Sequence, residues 1–297
     1  MSEIFDFLKK TETHRRQQEQ LAGKAPDLRG AEVFSSETRP EGESETAPSV
    51  PMEIQIWGSE KFDLTRASRE IKNVLEPLTL VGEQFRLLRS RLGILQKQRG
   101  IRTILITSAV PEEGKTFIAS GLVGIFAQEP GKRVLLIDAD LRRPRSGWSF
   151  GLNGSSGNTG LSEVLREKQE FHAGLLMATN PEFYFMPSGP LPLNPSELLS
   201  SPMLEETIRR AAESFDWVII DSPPVLPLSD ATLISPLCDA VLLVVRGGRT
   251  PSKLVLDAIN RIGRDKICGV ILNRQKYVSS SRYYYQYYYR SSIPGKE

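Results

Sequence analysis

The stretch of residues 101–116, IRTILITSAVPEEGKT, constrains the fold of this chain more than any other. Its apolar run at residues 104–106 is short enough for one buried strand, and residues 117–128 are predicted to form a helix. The loop between them ends in Gly114, Lys115 and Thr116. Glycine allows the backbone to approach an anion, the helix end offers unpaired N–H donors, lysine adds a charge, and threonine offers a hydroxyl to magnesium. The sequence therefore predicts a phosphate-binding P-loop.

One position departs from the usual pattern G-x-x-x-x-G-K-[ST], because Ala109 stands where the first glycine is expected. We therefore expect this loop to begin without the freedom at positive φ that glycine provides. The alternative interpretation is a chance G-K-T sequence in a solvated loop. The apolar run before the loop and the helix after it favour the phosphate site.

The composition limits which other functions the chain can have. The 297 residues carry a net charge of +2, and their dispersed lysines and arginines do not favour nucleic-acid binding. No apolar run approaches the roughly 18 residues of a membrane span, and the N-terminus lacks a secretion signal, so we predict a cytoplasmic protein. Cys238 and Cys268 are expected to be structural thiols in or beside strands. His14 and His172 have no ligand partner at a suitable spacing, so no metal beyond magnesium is predicted.

Beyond the P-loop, apolar runs alternate with helical segments. Strands are predicted at residues 133–138, 183–186, 217–221, 240–245 and 267–272, and helices near residues 161–167, 195–213, 229–236 and 252–262. Runs such as VLLID, WVII and VLLVV are apolar at consecutive positions, which is typical of strands covered on both faces. We therefore predict an α/β fold, a mostly parallel doubly wound sheet with helices on both faces, as in P-loop NTPases.

The two ends of the chain differ from this central part. Residues 1–75 are predicted to be an N-terminal extension, with a short helix and then a disordered linker rich in Glu, Ser, Thr and Pro. Residues 76–276 form the predicted P-loop domain. Residues 277–297 form a predicted flexible tail, in which residues 283–289 read YYYQYYY. A tail that presents phenolic hydroxyls is favoured over a strand, because a strand of this sequence would expose an aromatic edge.

Three aspartates follow predicted strands: Asp138 and Asp140 in VLLIDADLRRPR, and Asp221 in WVIIDSPP. The carboxyl ends of parallel strands lie beside the phosphate loop, where magnesium and an attacking hydroxyl must be held. Any one of them alone would more readily be a helix N-cap or a turn residue. Together they favour a phosphoryl-transfer site, with Asp221 holding metal and Asp138 or Asp140 accepting a proton. Arg246 and Asn273, at later strand ends, are candidates for contact with the base or ribose.

A further helix is predicted at residues 80–98, where apolar residues recur at spacings of three and four. This spacing places Glu83, Arg86 and Arg89 on a neighbouring face. They could pair within the helix or bridge to a second protein molecule. On spacing alone, a solvated charged face is favoured.

The order SAVPEEGKT, VLLIDADLRRPR, WVIIDSPP and a C-terminal tyrosine cluster resembles the bacterial tyrosine kinases of capsule and exopolysaccharide systems, from about residue 76 onward. The resemblance implies a protein-tyrosine kinase that uses ATP and magnesium, with Asp138 chosen as the base. It also implies that the arginine-bearing helix is an oligomerisation motif, which reverses the preference for a solvated face. The implied residues are catalytic Lys115, Asp138 and Asp140; ATP-binding Ala109, Glu112, Glu113, Gly114, Lys115, Thr116 and Phe117; metal-holding Thr116, Asp138, Asp140 and Asp221; autophosphorylated Tyr283, Tyr284, Tyr285, Tyr287, Tyr288 and Tyr289; and oligomerising Glu83, Arg86 and Arg89.

The same resemblance implies partners. We expect a ring-type homo-oligomer in which one subunit's tail enters a neighbour's site and phosphorylation of the tail loosens the ring. A separate membrane chain-length regulator would activate the kinase and recruit it to the inner face of the cell membrane, and polysaccharide-biosynthesis enzymes are candidate substrates. One alternative is an ATPase switch of the partitioning or septum-site type, whose signature lysine is replaced here by Val110. Another is a non-catalytic scaffold of a polysaccharide export complex.

Overall fold

The computed structural model describes residues 60–152 and 159–275. Eight strands in these residues form one sheet: β1 Glu60–Phe62, β2 Thr103–Ser108, β3 Val134–Asp138, β4 Leu176–Thr179, β5 Glu182–Met186, β6 Trp217–Asp221, β7 Ala240–Arg246 and β8 Ile267–Asn273. The α-helices of the same residues are α1 Arg69–Leu75, α2 Leu80–Arg99, α3 Lys115–Phe126, α4 Ser146–Ser149, α5 Leu161–Leu165, α6 Pro195–Leu199, α7 Pro202–Ser214, α8 Asp230–Ile234 and α9 Ser252–Ile262. Two 3₁₀ helices, Phe171–Gly174 and Ser235–Leu237, complete the set.

The strands are arranged in the order β1-β4-β5-β3-β6-β2-β7-β8. Every neighbouring pair is parallel except β4 with β5, which is antiparallel. The strand that precedes the P-loop, β2, lies between β6 and β7, so the loop emerges near the middle of the sheet. The predicted, mostly parallel sheet is confirmed.

The hydrophobic core lies on both faces of this sheet. Leu105 of β2 packs in the cluster that includes residues of α5, α7 and α9. Its neighbours Ile104 and Ile106 pack in the cluster that includes residues of α1, α2 and α3. Because successive side chains of a strand point to opposite faces, β2 must be covered by helices on both sides. This three-layer arrangement confirms the predicted doubly wound α/β fold.

The predicted helix at residues 195–213 is wrong as a single helix. The structure has α6 and α7 instead, with a break at Ser200 and Ser201. Pro202 stands at the start of α7, where its missing N–H is tolerated, whereas in a continuous helix it would leave the carbonyl one turn earlier without a donor. The predicted helix at residues 229–236 is likewise α8 followed by a 3₁₀ turn.

The short elements β1, β4 and α1 are among those that were not predicted. Strand β1 pairs with β4 at the edge of the sheet, and α1 buries Ile71 and Val74 against the domain. These elements have three, four and seven residues, which is too few to display a clear periodicity. Residues 60–75 therefore belong with the sheet, and the predicted boundary at residue 76 lies too far along the chain. The predicted N-terminal helix, the linker and the tyrosine-rich tail lie outside the described residues.

Helix α2 confirms the prediction for residues 80–98. It begins at Thr79, whose hydroxyl accepts a hydrogen bond from the N–H of Gly82 at 3.1 Å, and ends at Gly100, which adopts a φ of 69°. In the described part of the chain, no helix is both long enough and apolar enough to span a bilayer.

Both cysteines are free thiols. Cys238 is buried and Cys268 is partly buried, and burial raises the pKa of each thiol, to about 11 for Cys268. Because the reactive form of cysteine is the thiolate, these pKa shifts favour the predicted structural role.

Candidate active site

The carboxyl ends of four central strands lie side by side at one edge of the sheet. The register pairs Asp138 of β3 with Asp221 of β6, and Asp221 in turn with Ile106 of β2. The two aspartates therefore end adjacent strands beside the loop that follows β2. This confirms that the strand-end acids and the phosphate loop share one edge.

The loop between β2 and α3 has the backbone of a phosphate cradle. Gly114 adopts φ 93° and ψ 23°, and a Cβ at this position would lie 2.1 Å from Nδ2 of Asn273, so no other residue fits without displacing that side chain. In the described residues, the non-glycine residues at positive φ include Glu112 in this loop but not Ala109. Ala109 is fully buried, and its backbone does not need the conformational freedom of glycine. The departure from the usual motif therefore carries no backbone strain.

Lys115 and Thr116 open α3 and face the acids of the neighbouring strands. The Lys115 ammonium lies 3.3 Å from Oδ2 of Asp140, and both side chains are largely buried. The other carboxylate oxygen of Asp140 accepts a hydrogen bond from the N–H of Arg143 at 3.0 Å. The two motifs, separated by 25 residues, thus meet through a pair of opposite charges.

Asp138 is fully buried at the end of β3. Its two carboxylate oxygens accept hydrogen bonds from the N–H groups of Asp140 (3.2 Å) and Ser146 (3.0 Å). Burial, together with the negative charges of Asp221 and Asp140, raises the pKa of Asp138 to about 7, although the two hydrogen bonds oppose the shift. A carboxyl group with this pKa can exchange a proton near neutral pH, as a general base must.

Asp221 is also fully buried, and its Oδ1 has no hydrogen-bond partner in the described residues. Its Oδ2 accepts a hydrogen bond from the hydroxyl of Ser146 at 3.0 Å. Burial raises the pKa of Asp221, and the nearby Lys115 ammonium and Thr116 hydroxyl oppose that shift. A buried carboxylate oxygen without a donor is unusual, and it suits a site that a cation completes.

The metal donors of this site do not form a closed protein cage. In the described residues, no three histidine, cysteine or carboxylate side chains converge in the manner of a complete metal site. A divalent cation at a phosphoryl-transfer site is usually held by one or two carboxylates, substrate phosphates and water. The Asp221 carboxylate and the Thr116 hydroxyl beside it fit such a partial shell.

Ser146, the first residue of α4, was not predicted as a site residue. It is fully buried, and it bridges the two strand-end acids, its N–H donating to Asp138 and its hydroxyl to Asp221. No motif in the sequence marks this serine, which lies eight residues after Asp138 and 75 before Asp221.

A second unpredicted contact fastens the loop that carries Asp140. The Arg142 guanidinium binds the fully buried Asp230 with two hydrogen bonds, 2.7 Å from Nε to Oδ2 and 3.1 Å from Nη2 to Oδ1. The Ser196 hydroxyl contacts both side chains, at 2.7 Å from the arginine and 2.9 Å from the aspartate. The hydrogen bond to Asp230 raises the pKa of Arg142, against the effect of burial.

The other residues predicted to bind the nucleotide differ in their exposure and contacts. Glu112 is exposed, whereas Glu113 is buried, with its side chain bound to the protein's own backbone. Phe117 packs edge-on against Phe85, with the ring centroids 5.5 Å apart. Asn273 donates to the carbonyl oxygen of Glu113 at 2.8 Å, so it does reach the loop. Contact with a base or ribose stays a prediction.

The charged residues of α2 bind within the chain. Arg86 pairs with Glu83 at 2.7 Å and donates to the carbonyl oxygen of Glu76 at 2.8 Å. Arg89 pairs with Glu129 at 3.2 Å. Of the two options left open by the spacing, pairing within the helix occurs for Arg86, and the oligomerisation role stays a prediction.

Comparison with known proteins agrees with this geometry. A family model described as an AAA domain matches residues 102–251. The tyrosine-protein kinase YwqD of Bacillus subtilis is 36% identical over 225 residues, which cover 74% of this chain and 93% of that protein. The succinoglycan biosynthesis transport protein ExoP of Rhizobium meliloti is 38% identical over 178 residues, covering 58% of this chain and 22% of that much longer protein.

The solved kinase domain of the Escherichia coli tyrosine kinase ETK has a similar fold. Its TM-score is 0.64 at 31% sequence identity, over 72% of this chain and 84% of the domain. The sequence match and the fold match therefore indicate the same family, and the match to the Bacillus kinase covers nearly all of that relative. The chain belongs to the bacterial tyrosine-protein kinases.

Proposed function

We propose that this chain is an ATP- and magnesium-dependent kinase that phosphorylates its own C-terminal tyrosine cluster in trans. We further propose that this reaction regulates the polymerisation and export of an exopolysaccharide or capsule. The observation that carries the proposal is the placement of the buried Asp138 beside the phosphate loop, in a chain with six tyrosines clustered at residues 283–289. The name of the succinoglycan transport relative supports the polysaccharide assignment.

In this proposal each site residue has a separate task. The N–H groups at the start of α3 and the Lys115 ammonium bind the triphosphate and neutralise its charge. The Thr116 hydroxyl and the Asp221 carboxylate, with Asp138 and Asp140 close by, hold magnesium, which neutralises charge on the phosphates when it is bound. Phosphoryl transfer needs positioning and charge neutralisation more than covalent chemistry, and these residues provide both.

Asp138 accepts the proton of the attacking tyrosine. A phenol has a pKa of about 10 and is hardly ionised at neutral pH, so a nearby carboxylate that accepts its proton late in the transfer assists the reaction. The acceptors are Tyr283, Tyr284, Tyr285, Tyr287, Tyr288 and Tyr289. A tethered tail with six neighbouring acceptors raises their local concentration at a neighbour's site, which favours multiple phosphorylation.

Phosphorylation also provides a release step. Each phosphate adds about −1.5 to −2 charges, so several on one short segment repel each other and the aspartates of the site. Release of the tail would loosen a ring of subunits held through Glu83, Arg86 and Arg89. A membrane chain-length regulator is the proposed activator, and it would recruit the kinase to the inner face of the cell membrane. Polysaccharide-biosynthesis enzymes are the proposed further substrates.

The experiment separates transfer in trans from transfer within one chain. A Lys115→Met chain, impaired at the phosphate loop but with an intact tail, is co-expressed with an active chain whose six clustered tyrosines are replaced by phenylalanine. The host is a cell that makes the polysaccharide, so that a membrane partner is present. We expect mass spectrometry to find phosphotyrosine within residues 283–289 of the Lys115→Met chain. Asp138→Asn in the active chain should remove it.

Two results would contradict the proposal. Transfer within one subunit would be indicated if the wild-type chain, expressed by itself, carried phosphotyrosine while the Lys115→Met chain in the mixture carried none. No phosphotyrosine on any chain, with polysaccharide output unchanged by Lys115→Met, would favour the scaffold instead.

A further inference from the structure

The phosphate loop contains a buried carboxylate that points into the protein. Glu113 is 1% exposed, although Glu112 before it is exposed and Gly114 after it is only partly buried. Its Oε2 accepts a hydrogen bond from the N–H of Val110 at 2.9 Å. Its Oε1 accepts two more, from the N–H of Arg246 at 3.0 Å and from the hydroxyl of Thr250 at 2.5 Å. We call this carboxylate and its three donors the Glu113 clamp.

The clamp connects the loop to the ends of two strands. Arg246 is the last residue of β7, and Asn273, the last residue of β8, donates to the carbonyl oxygen of Glu113 at 2.8 Å. The same Asn273 amide occupies the space beside Gly114 in which a Cβ would otherwise lie. One residue therefore fixes the start of the loop, through Val110, and its end, next to Gly114, to the sheet.

The negative charge of Glu113 does not by itself favour nucleotide binding. In the described residues, no lysine or arginine side chain forms an ion pair with Glu113, so hydrogen bonds alone compensate its burial. A negative charge in a loop that binds a triphosphate repels the ligand. A role in positioning and an effect of charge therefore predict opposite results when the charge is removed.

We propose that Glu113 is a positioning residue, which holds the phosphate loop in its nucleotide-binding conformation and links it to the turn at residues 246–250. The clamp also fixes the N–H of Val110, next to Ala109, where the usual first glycine of the motif is missing. This inference depends on the nucleotide binding of the proposed function but not on tyrosine phosphorylation. Mg·ADP binding to the full chain, measured by calorimetry, therefore tests it separately.

The first variant is Glu113→Gln, which keeps the shape of the side chain but removes its charge. The amide nitrogen of glutamine is a donor, so it opposes a backbone N–H on one side of the clamp. We expect the Kd for Mg·ADP to rise about tenfold, as is typical when a buried donor loses its acceptor. The charge-matched variant is Glu112→Gln at the adjacent exposed position, which removes the same charge without touching the clamp and should lower the Kd. A fall in Kd for Glu113→Gln as well would overturn the proposal.

The second pair of variants tests the clamp from its other side, in case Glu113→Gln fails to fold. Thr250→Val removes the hydroxyl but keeps the shape, and Thr250→Ser keeps the hydroxyl. We expect the Kd for Mg·ADP to rise about threefold or more for valine and to stay within about twofold of wild type for serine. A purely structural role would lower the thermal stability of the valine variant without changing the Kd of the folded protein. Equal Kd values for valine and serine would also refute the clamp.

Discussion

The Arg142–Asp230 pair tests how the loop that carries Asp140 is held in place. The Asp230 side chain is 0% exposed and that of Arg142 is 34% exposed. Two hydrogen bonds join them, and the Ser196 hydroxyl is the other side-chain partner of Asp230 in the described residues. The variant Arg142→Gln removes the positive charge and the two-pronged geometry, and its shorter side chain can replace at most the Nε donor. It leaves a buried carboxylate with no positive partner and, besides the Ser196 hydroxyl, at most one neutral donor.

Two limits bracket the loss of stability. Removing one partner of a fully buried ion pair costs about 3–5 kcal/mol, whereas an exposed pair contributes about 0.2–1 kcal/mol. Asp230 is at the buried limit, but water reaches Arg142 and will partly solvate the carboxylate once the guanidinium is gone. We therefore expect Arg142→Gln to lower the free energy of unfolding by about 2–3 kcal/mol. For a domain of this size, the melting temperature would fall by roughly 4–12 °C.

The assay is urea unfolding followed by circular dichroism, with Arg209→Gln as the matched control. Arg209 is 54% exposed, and its ion-pair partners in the described residues are the surface acids Glu206 and Glu213, so its loss should cost no more than about 1 kcal/mol. Arg142→Lys keeps the charge without the planar fork and should fall between the two. If Arg142→Gln costs no more than Arg209→Gln, Asp230 is solvated in solution and the reasoning is wrong.

Two further predictions concern the strand-end acids. Ser146→Ala removes the hydroxyl that orients Asp221, so the magnesium concentration for half-maximal kinase activity should rise about tenfold; an unchanged magnesium titration would contradict this. The second prediction follows from the raised pKa of Asp138: between about pH 4 and pH 7 the folded protein keeps a proton that the unfolded chain loses. Without metal and nucleotide, the free energy of unfolding should therefore fall by a few kcal/mol as the pH rises through this window. Urea titrations at several pH values should show a smaller slope for Asp138→Asn, and an equal slope would refute the assignment.

Much of the fold could be predicted because each central strand contains an uninterrupted apolar run. The predicted bounds of β6 and α9 agree with the structure, since a buried run or an amphipathic repeat identifies each of them. The edge of the sheet could not be predicted in the same way. Strands β1 and β4 are short, and they are strands because of the partners with which they pair, which local sequence does not specify.

The site, too, contains residues that could be predicted from the sequence and residues that could not. Asp138 and Asp221 could be placed together from sequence because parallel strands end at a common edge, and the register pairs them directly. Ser146 could not, because its hydroxyl reaches a carboxylate 75 residues away. The same holds for Arg142 and Asp230, which are 88 residues apart, since a local motif identifies a residue type but not its distant partner.

These unpredicted contacts have a common physical role. Asp138, Asp221, Asp230 and Glu113 are all buried. Donors from distant segments hold the last three, and the loop that follows β3 holds Asp138. A buried carboxylate without such donors would take up a proton or face another way, and it would then serve neither a cation nor a phosphate loop. The acids thus supply the reactive groups, while the donors that contact them determine their orientation. Substitutions of donors outside the motifs, such as Ser146 and Thr250, should therefore change metal or nucleotide affinity while leaving every recognisable motif intact.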